Sequence, residues 1–420
     1  MTKRERPQTP RHGTIAAIDI GTTKIACFIA KHTDDGVLTV TGIGHQLSRG
    51  IKSGVITDIG EAGTSITAAV HAAEQMAGET IEDIIVSVNG TNLKSRNVSV
   101  ELDVLADGVS DQDIADIIHE GCASLHSTES SIIHCFPAHY QLDGARGLRD
   151  PRGMIGKKLG AELQIITARE PYIRNLSQCL AKAHLNVSEY VMASHAAAMS
   201  VLEEDEMNLG VTLIDMGGGV TSFSVYVGGR NVYSDSIPVG GNHVTSDIAQ
   251  GLSTSLHHAE RLKTLHGSAI NSVKDSEVMI DVPQLGEREE EDEPTTMPRA
   301  MLVGVIRPRM EEIFELIRGK LEASGVDKIA GRRCVLTGGA SQMLGVGDLA
   351  AKMLGKQVRK GKPLPLPGLA EAVSGPAFSG VIGMLRYVNH RPWEEQILSA
   401  ESSRRRFLPE RIVNWFRENF

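Results

Sequence analysis

Ile18-Asp19-Ile20-Gly21-Thr22-Thr23-Lys24 and Ile214-Asp215-Met216-Gly217-Gly218-Gly219-Val220-Thr221 are the two stretches that decide the fold. Each lies inside an apolar, β-branched run, 14–29 and 211–227, that resumes after the glycines. The pattern reads as strand, tight turn, strand: a hairpin whose tip presents backbone N–H groups and one carboxylate. Glycine lets that backbone approach a polyphosphate closely, and the threonine hydroxyls add donors. Like charges repel, so the aspartate suits a hydrated Mg²⁺ rather than phosphate itself. Two such hairpins in one chain predict a duplicated domain that closes on one nucleotide from both sides.

The chain has 420 residues, too many for one ordinary domain, and two to four compact units are expected. A hydrophobic content of 41% with 43 glycines fits a folded α/β protein. The net charge of −9 argues against general nucleic-acid binding. Five scattered cysteines without a C-x-x-C pair suggest neither a disulfide framework nor a zinc site and fit a reducing cytoplasm. No signal peptide is expected from the polar first residues, and no apolar run is long enough to span a bilayer.

Strand-like and helical stretches alternate through most of the length, as in α/β units. Residues 59–76 read as a helix on the first sheet. Residues 84–166 change character and carry no phosphate loop of their own; they are expected to form an inserted strand-helix-strand-strand module. Residues 171–204 read as mostly helical, with a small-residue segment at 193–202 suited to a tight helix crossing. A helical region is expected from Gly240-Gly241-Asn242 to Leu265, and another helix from Pro308 to about Leu321. The run Glu287-Arg288-Glu289-Glu290-Glu291-Asp292-Glu293 reads as a solvated loop.

A third glycine turn, Val335-Leu336-Thr337-Gly338-Gly339-Ala340-Ser341, leaves a strand and enters a helical segment. There a purine or its ribose can lie against bare backbone. Glu260 and Lys263 stand at i and i+3 on one helix face. They read either as a surface ion pair or as a carboxylate for ribose hydroxyls beside a lysine lying along adenine.

In this order the motifs resemble the actin/Hsp70/sugar-kinase superfamily, and over about residues 13–420 the chain is similar to the FtsA family of bacterial cell-division proteins. Ser48-Arg49-Gly50, the stretch from Gly240 to Ala249, and Val335 to Ala340 carry the likeness. The resemblance implies an α/β, actin-like fold of two lobes, each ribonuclease-H-like, with an inserted subdomain and a C-terminal amphipathic helix. Lobe 1 is expected over 13–83 and 167–206 with a closing helix at 369–390, and the insert, used for polymerisation and later division partners, over 84–166. The lobe 2 core is expected over 207–240 and 330–368, with an outer subdomain over 241–329. The resemblance implies ATP and Mg²⁺ as ligands. Asp19, Gly21, Thr22, Thr23 and Lys24 match the first phosphate loop, and Asp215, Gly217, Gly218 and Gly219 the second. Asp19 and Asp215 would hold Mg²⁺ through water, Gly338 and Gly339 the adenosine, and Glu260 with Lys263 the nucleoside. No catalytic residue is carried over. Where relatives place a carboxylate near the attacking water, this chain has Ala193, followed by Ser194 and His195, and His195 reads more readily as structural. ATP is thus expected to be bound with slow or negligible turnover.

The chain ends on Arg404-Arg405-Arg406-Phe407-Leu408-Pro409-Glu410-Arg411-Ile412-Val413-Asn414-Trp415-Phe416-Arg417-Glu418-Asn419-Phe420. Leu408, Ile412, Phe416 and Phe420 recur every four residues, flanked by Val413 and Trp415, within an arc of roughly 160° on a helix. Arg411 and Arg417 border that face. The stretch reads as a helix lying in a bilayer interface after a linker at 391–403, or else as one docked on the protein's own core. The resemblance implies a peripheral protein at the division site, on the cytoplasmic face of the inner membrane. Its implied partners are the lipids, further copies of itself, later division proteins and the C-terminal tail of FtsZ, with Arg309 as a contact for that acidic peptide. A metabolite kinase lacks its catalytic aspartate motif here. An actin-like component of a pilus or secretion platform is the nearer alternative.

Overall fold

A computed structural model describes residues 13–104, 108–125, 127–286 and 295–390. The acidic run at 287–293, the linker and the amphipathic segment from Arg404 to Phe420 lie outside the described residues.

Lobe 1 opens with β1 (Thr14–Ile20), β2 (Lys24–His32) and β3 (Leu38–Leu47), followed by the short hairpin β4 (Ile51–Lys52) and β5 (Val55–Ile56). α1 (Ile59–Ala77) and β6 (Asp83–Val88) come next. Asp58 caps α1 by accepting from the Gly60 and Glu61 amides, and Gly78 ends it in the left-handed conformation at φ 71°. The insert comprises β7 (Leu93–Asp103), α2 (Asp111–Ser124), β8 (Ser130–Leu142), β9 (Ala145–Leu148) and β10 (Lys158–Arg169). Lobe 1 resumes with α3 (Glu170–Ala181), β11 (Asn186–Met192), α4 (Ala193–Val201) and α5 (Glu204–Leu209).

Lobe 2 repeats the plan with β12 (Val211–Met216), β13 (Thr221–Val227) and β14 (Arg230–Ile237). Its outer part holds α6 (Gly241–Gly251), α7 (Leu256–His266), β15 (Met279–Val282), β16 (Thr295–Pro298) and α8 (Arg299–Ser324). β17 (Arg333–Thr337), α9 (Val346–Leu354), β18 (Gln357–Lys360) and α10 (Ser379–His390) complete the described chain.

The two five-stranded sheets have matching orders, β11-β6-β1-β2-β3 and β18-β17-β12-β13-β14. In both, the first two strands of the lobe form an antiparallel hairpin and a parallel strand lies beside the first of them. The duplication inferred from two short motifs therefore extends over whole sheets. Helices α4 and α10 cross between the sheets at very close range. A Cβ on Gly383 would lie 1.7 Å from the Ala196 carbonyl oxygen, so only glycine permits the approach.

Three local expectations are corrected. Residues 84–88, assigned from sequence to the insert, form β6, which pairs in parallel with β1 and β11 inside the lobe 1 sheet. The sheet of the insert, in the order β7-β10-β8-β9, begins at Leu93 and ends at Arg169. A short buried strand resembles either neighbour in sequence, and only its pairing partner assigns it. Residues 171–204 include β11 as well as helices. Helix α8 runs through Pro308 from Arg299, because a proline inside a long packed helix removes one bond without ending it.

Replacing Gly383 with alanine is expected to cost about 1–3 kcal/mol of folding stability, or to prevent folding, through overpacking at the α4–α10 crossing. Thermal unfolding of the variant against a control such as Gly347→Ala, whose added Cβ meets nothing within 4 Å, checks it.

Candidate functional site

The turn after β1 is closed by Gly21 N donating to Lys24 O at 3.0 Å, and the turn after β12 by Gly217 N donating to Val220 O at 3.0 Å. The two hairpin tips thus share one geometry. They face each other so closely that a Cβ on Gly218 would lie 2.0 Å from Thr23 Oγ1, and one on Gly219 2.6 Å from Thr22 Oγ1. Thr23 Oγ1 donates to Asn242 Oδ1 at 3.3 Å, joining the lobes across the cleft. Between them lies a cavity of about 570 Å³, within the range of small-ligand sites.

The parallel neighbours deliver the remaining walls. β6 lies beside β1, and Ser87 Oγ donates to Asp19 Oδ1 at 2.6 Å. β17 lies beside β12 with Thr337 opposite Asp215. The chain then turns at Gly338, φ 85°, where a Cβ would lie 2.4 Å from Asp215 Oδ1. Strained backbone of this kind against a carboxylate requires glycine.

Asp19 and Asp215 are half-buried and face each other electrostatically. Burial raises the Asp19 carboxyl, opposed by the Ser87 hydrogen bond and by Lys24. Burial, then Asp19, pushes Asp215 up to about 7, with Lys24 opposing. Lys24 is drawn down to about 8 by burial, against the pull of both carboxylates. Its ammonium lies 3.1 Å from the centroid of the Phe378 ring, just before α10. Two carboxylates held in one poorly solvated cleft suit a bound cation. Among the described residues no group of three or more His, Cys, Asp or Glu is arranged to hold a metal. Any divalent ion would therefore take most of its oxygens from water and ligand, as Mg²⁺ does.

Every residue expected at the nucleotide site lines this one cavity: Asp19, Gly21, Thr22, Thr23, Lys24, Asp215, Gly217, Gly218, Gly219, Glu260, Lys263, Gly338 and Gly339. Ala193, the first residue of α4, lines it too. Lys263 is more committed than its spacing implies. Its ammonium donates to Glu260 Oε2 at 2.6 Å, Thr245 Oγ1 at 2.8 Å and Gly241 O at 3.1 Å. It positions Glu260 and clamps α7 to α6. Asn89, Asn242, Arg299, Met343, Pro376 and Gly380 also line the cavity and were not singled out from sequence as site residues. Only Asn242, within Gly-Gly-Asn, carried a signal; the others arrive through the assembly of the lobes.

Arg309 is not a free cation. Its Nε and Nη2 donate to Asp247 at 2.6 and 3.0 Å, and Nη1 donates to Glu312. An acidic peptide that contacts Arg309 would compete with these two carboxylates. His195 is buried, its Nδ1 2.7 Å from the Tyr226 hydroxyl and its ring against His134, Phe136 and Tyr387. His134 Nε2 accepts from the Met192 amide at 3.0 Å. Burial lowers His195 to about 3, which leaves it an uncharged structural group.

The chain matches the family model described as "Cell division protein FtsA" over residues 212–383 and that of the "SHS2 domain inserted in FTSA" over 90–167. It is 39% identical to the cell division protein FtsA of Rhizobium meliloti, covering 98% of this chain and 96% of that one. It is 32% identical to that of Pseudomonas aeruginosa, over 97% and 98%. Among solved structures, a chain of a PilM-PilN type IV pilus biogenesis complex has a TM-score of 0.65 at 14% identity, covering 91% of this chain and 100% of that one. ADP-bound MreB5 of Spiroplasma citri has a TM-score of 0.53 at 14% identity, over 91% and 98%. These two likenesses show the fold.

The neutral His195 makes a signed prediction. Its folded value of about 3 lies below its ordinary 6.5, so the stability it contributes is present above pH 6.5 and is lost as pH falls. Between pH 6.5 and about 4.5 the stability gap between wild type and His195→Gln is expected to narrow. Shared groups such as Asp215 cancel in that difference. Urea unfolding of both proteins across this range measures it.

Proposed function

The chain belongs to the FtsA family of cell-division proteins, and from that premise we propose that it is an ATP-binding adaptor that polymerises on the cytoplasmic membrane face. The observation that carries the nucleotide reading is the pair of mirrored glycine tips converging on two raised carboxylates in one cavity. The backbone amides of the tips and the Thr22 and Thr23 hydroxyls would cradle phosphates. Asp19 and Asp215 would hold Mg²⁺ through its water, and Mg²⁺ would supply the charge that offsets both carboxylates and phosphate. Gly338 and Gly339 would carry the nucleoside, with Glu260 accepting from ribose hydroxyls.

Ala193 offers no group to orient or deprotonate water where the cavity meets α4. The nucleotide therefore acts as a ligand that favours one arrangement of the lobes, with weak turnover at most. The insert would serve self-association and later division proteins, and the outer part of lobe 2 would receive the FtsZ tail. The segment 404–420 would anchor the chain to lipid. One short interfacial helix binds reversibly, so a polymer carrying many copies would give durable attachment. No helix among the described residues is long and apolar enough to cross a membrane, as a peripheral anchor allows. The pilus-platform alternative has fold likeness alone behind it.

Two measurements test this. Calorimetric titration is expected to show binding of MgATP that falls about tenfold or more in Asp215→Asn, while ATP in excess EDTA is affected less. Equal losses with and without Mg²⁺ would count against a cation between the carboxylates. In co-sedimentation with anionic liposomes, the full chain is expected to pellet and a chain ending at Ser403 to remain in solution. Equal pelleting would remove the tail from the anchoring role.

A further inference from the structure

The cavity is lined by two kinds of group. The hairpin tips bring amides, hydroxyls, two carboxylates and Lys24, whereas the chain after Glu260 and the outer part of lobe 2 bring Leu265, Gly267, Met310, Met343 and Leu344. Leu265 and Leu344 line the cavity yet are 62% and 61% exposed. Exposed apolar side chains lining a site are suited to cover by a flat, weakly polar group.

Arg299, the first residue of α8, lines this cavity and is held rigidly. Its Nε donates at 2.8 Å to the carbonyl of His266, next to Leu265 in the chain. Its Nη1 donates at 3.0 Å to Asp275 Oδ1. Asp275 is 2% exposed and also accepts from the Ser272 amide at 2.7 Å. The backbone of Arg299 is fixed as well, its amide donating to Val278 O at 2.8 Å. A guanidinium bound on one edge by a carbonyl and a buried carboxylate has lost its rotational freedom. The two bonds use Nε and Nη1 and leave Nη2 and the flat faces uncommitted by them. Such a plane stacks on an aromatic base, and the larger π-surface of a purine gains more than a pyrimidine does.

We infer that Arg299 is a specificity-determining residue of this cavity, presenting a guanidinium locked by Asp275 that selects a purine over a pyrimidine base. The inference rests on the nucleotide reading of the same site. Charge alone does not produce it: a lysine would keep an ammonium opposite Asp275 but has no plane. Lys263 does not supply it, because its ammonium is engaged by Glu260, Thr245 and Gly241.

The test compares MgATP and MgCTP affinities of the full chain for wild type, Arg299→Lys and Arg299→Gln by displacement of a fluorescent nucleotide. Both substitutions are expected to weaken ATP about five- to tenfold and CTP less than twofold, so that the ATP/CTP preference collapses. Arg299→Lys keeps a cation beside the buried carboxylate, and it carries the test if the glutamine variant unfolds. A parallel loss for both nucleotides, or no loss, overturns the inference and leaves Arg299 as a brace between α8 and the segment before β15. A wild-type chain that binds neither nucleotide is a different result and overturns the nucleotide reading itself.

Discussion

Two carboxylates that repel each other are forced into one cleft, and the architecture follows from how that is tolerated. Asp19 and Asp215 stand last but one in the first strands of the two lobes, and each is brought inward because its strand has hydrogen-bonded partners on both sides. Lys24 lies within electrostatic reach of both, while Ser87 holds one of them by a direct hydrogen bond. The glycine tips then approach to distances no side chain would allow. A cavity built this way holds two carboxylates, a lysine and backbone amides close together, and under the proposed reading a cation together with an anionic ligand would match both kinds of group.

Behind the cleft, the lobes meet through buried polar groups rather than apolar surface alone. Ser194 Oγ lies 2.7 Å from Ser224 Oγ, which lies 2.9 Å from Ser234 Oγ, and Ser234 donates to Asn231. His195 continues this chain to Tyr226, which also accepts from Asn231. α4 carries Ser194 and His195 directly from Ala193 at the cavity wall. The insert is tied to the same region, since Arg230 of β14 donates to the Pro137 and Arg149 carbonyls. Buried hydrogen bonds are directional and costly to leave unmade, so such a junction fixes one arrangement of its members where apolar packing would permit several.

Much of the site was legible because its chemistry is local. A strand, an aspartate and a glycine turn are adjacent in the chain, and a Cβ at Gly21 or Gly217 would lie 2.8 Å from a carbonyl of its own turn, whereas glycine at Gly218, Gly219 and Gly338 is required by groups the fold brings from elsewhere. Asn242 was half-legible for the same reason. Arg299 was not, because what places it at the cavity is an ion pair with Asp275 and a bond to His266, neither near it in sequence. The ion pairing of Arg309 was hidden on the same ground: a basic residue on a helix gives no sign in sequence of Asp247, 62 positions away, that the fold brings against it.

The sequence by itself determined the duplicated hairpins, the third glycine turn and the alternation of strands and helices, since these rest on backbone propensities and side-chain periodicity within a few residues. Tertiary structure alone decided that β6 belongs to lobe 1, that Lys263 braces Glu260, that His195 stays neutral, and that Asp215 rises to about 7. Strand partners, ion pairs and proton affinities depend on which distant groups exclude water from one another. That exclusion exists only once the lobes have closed.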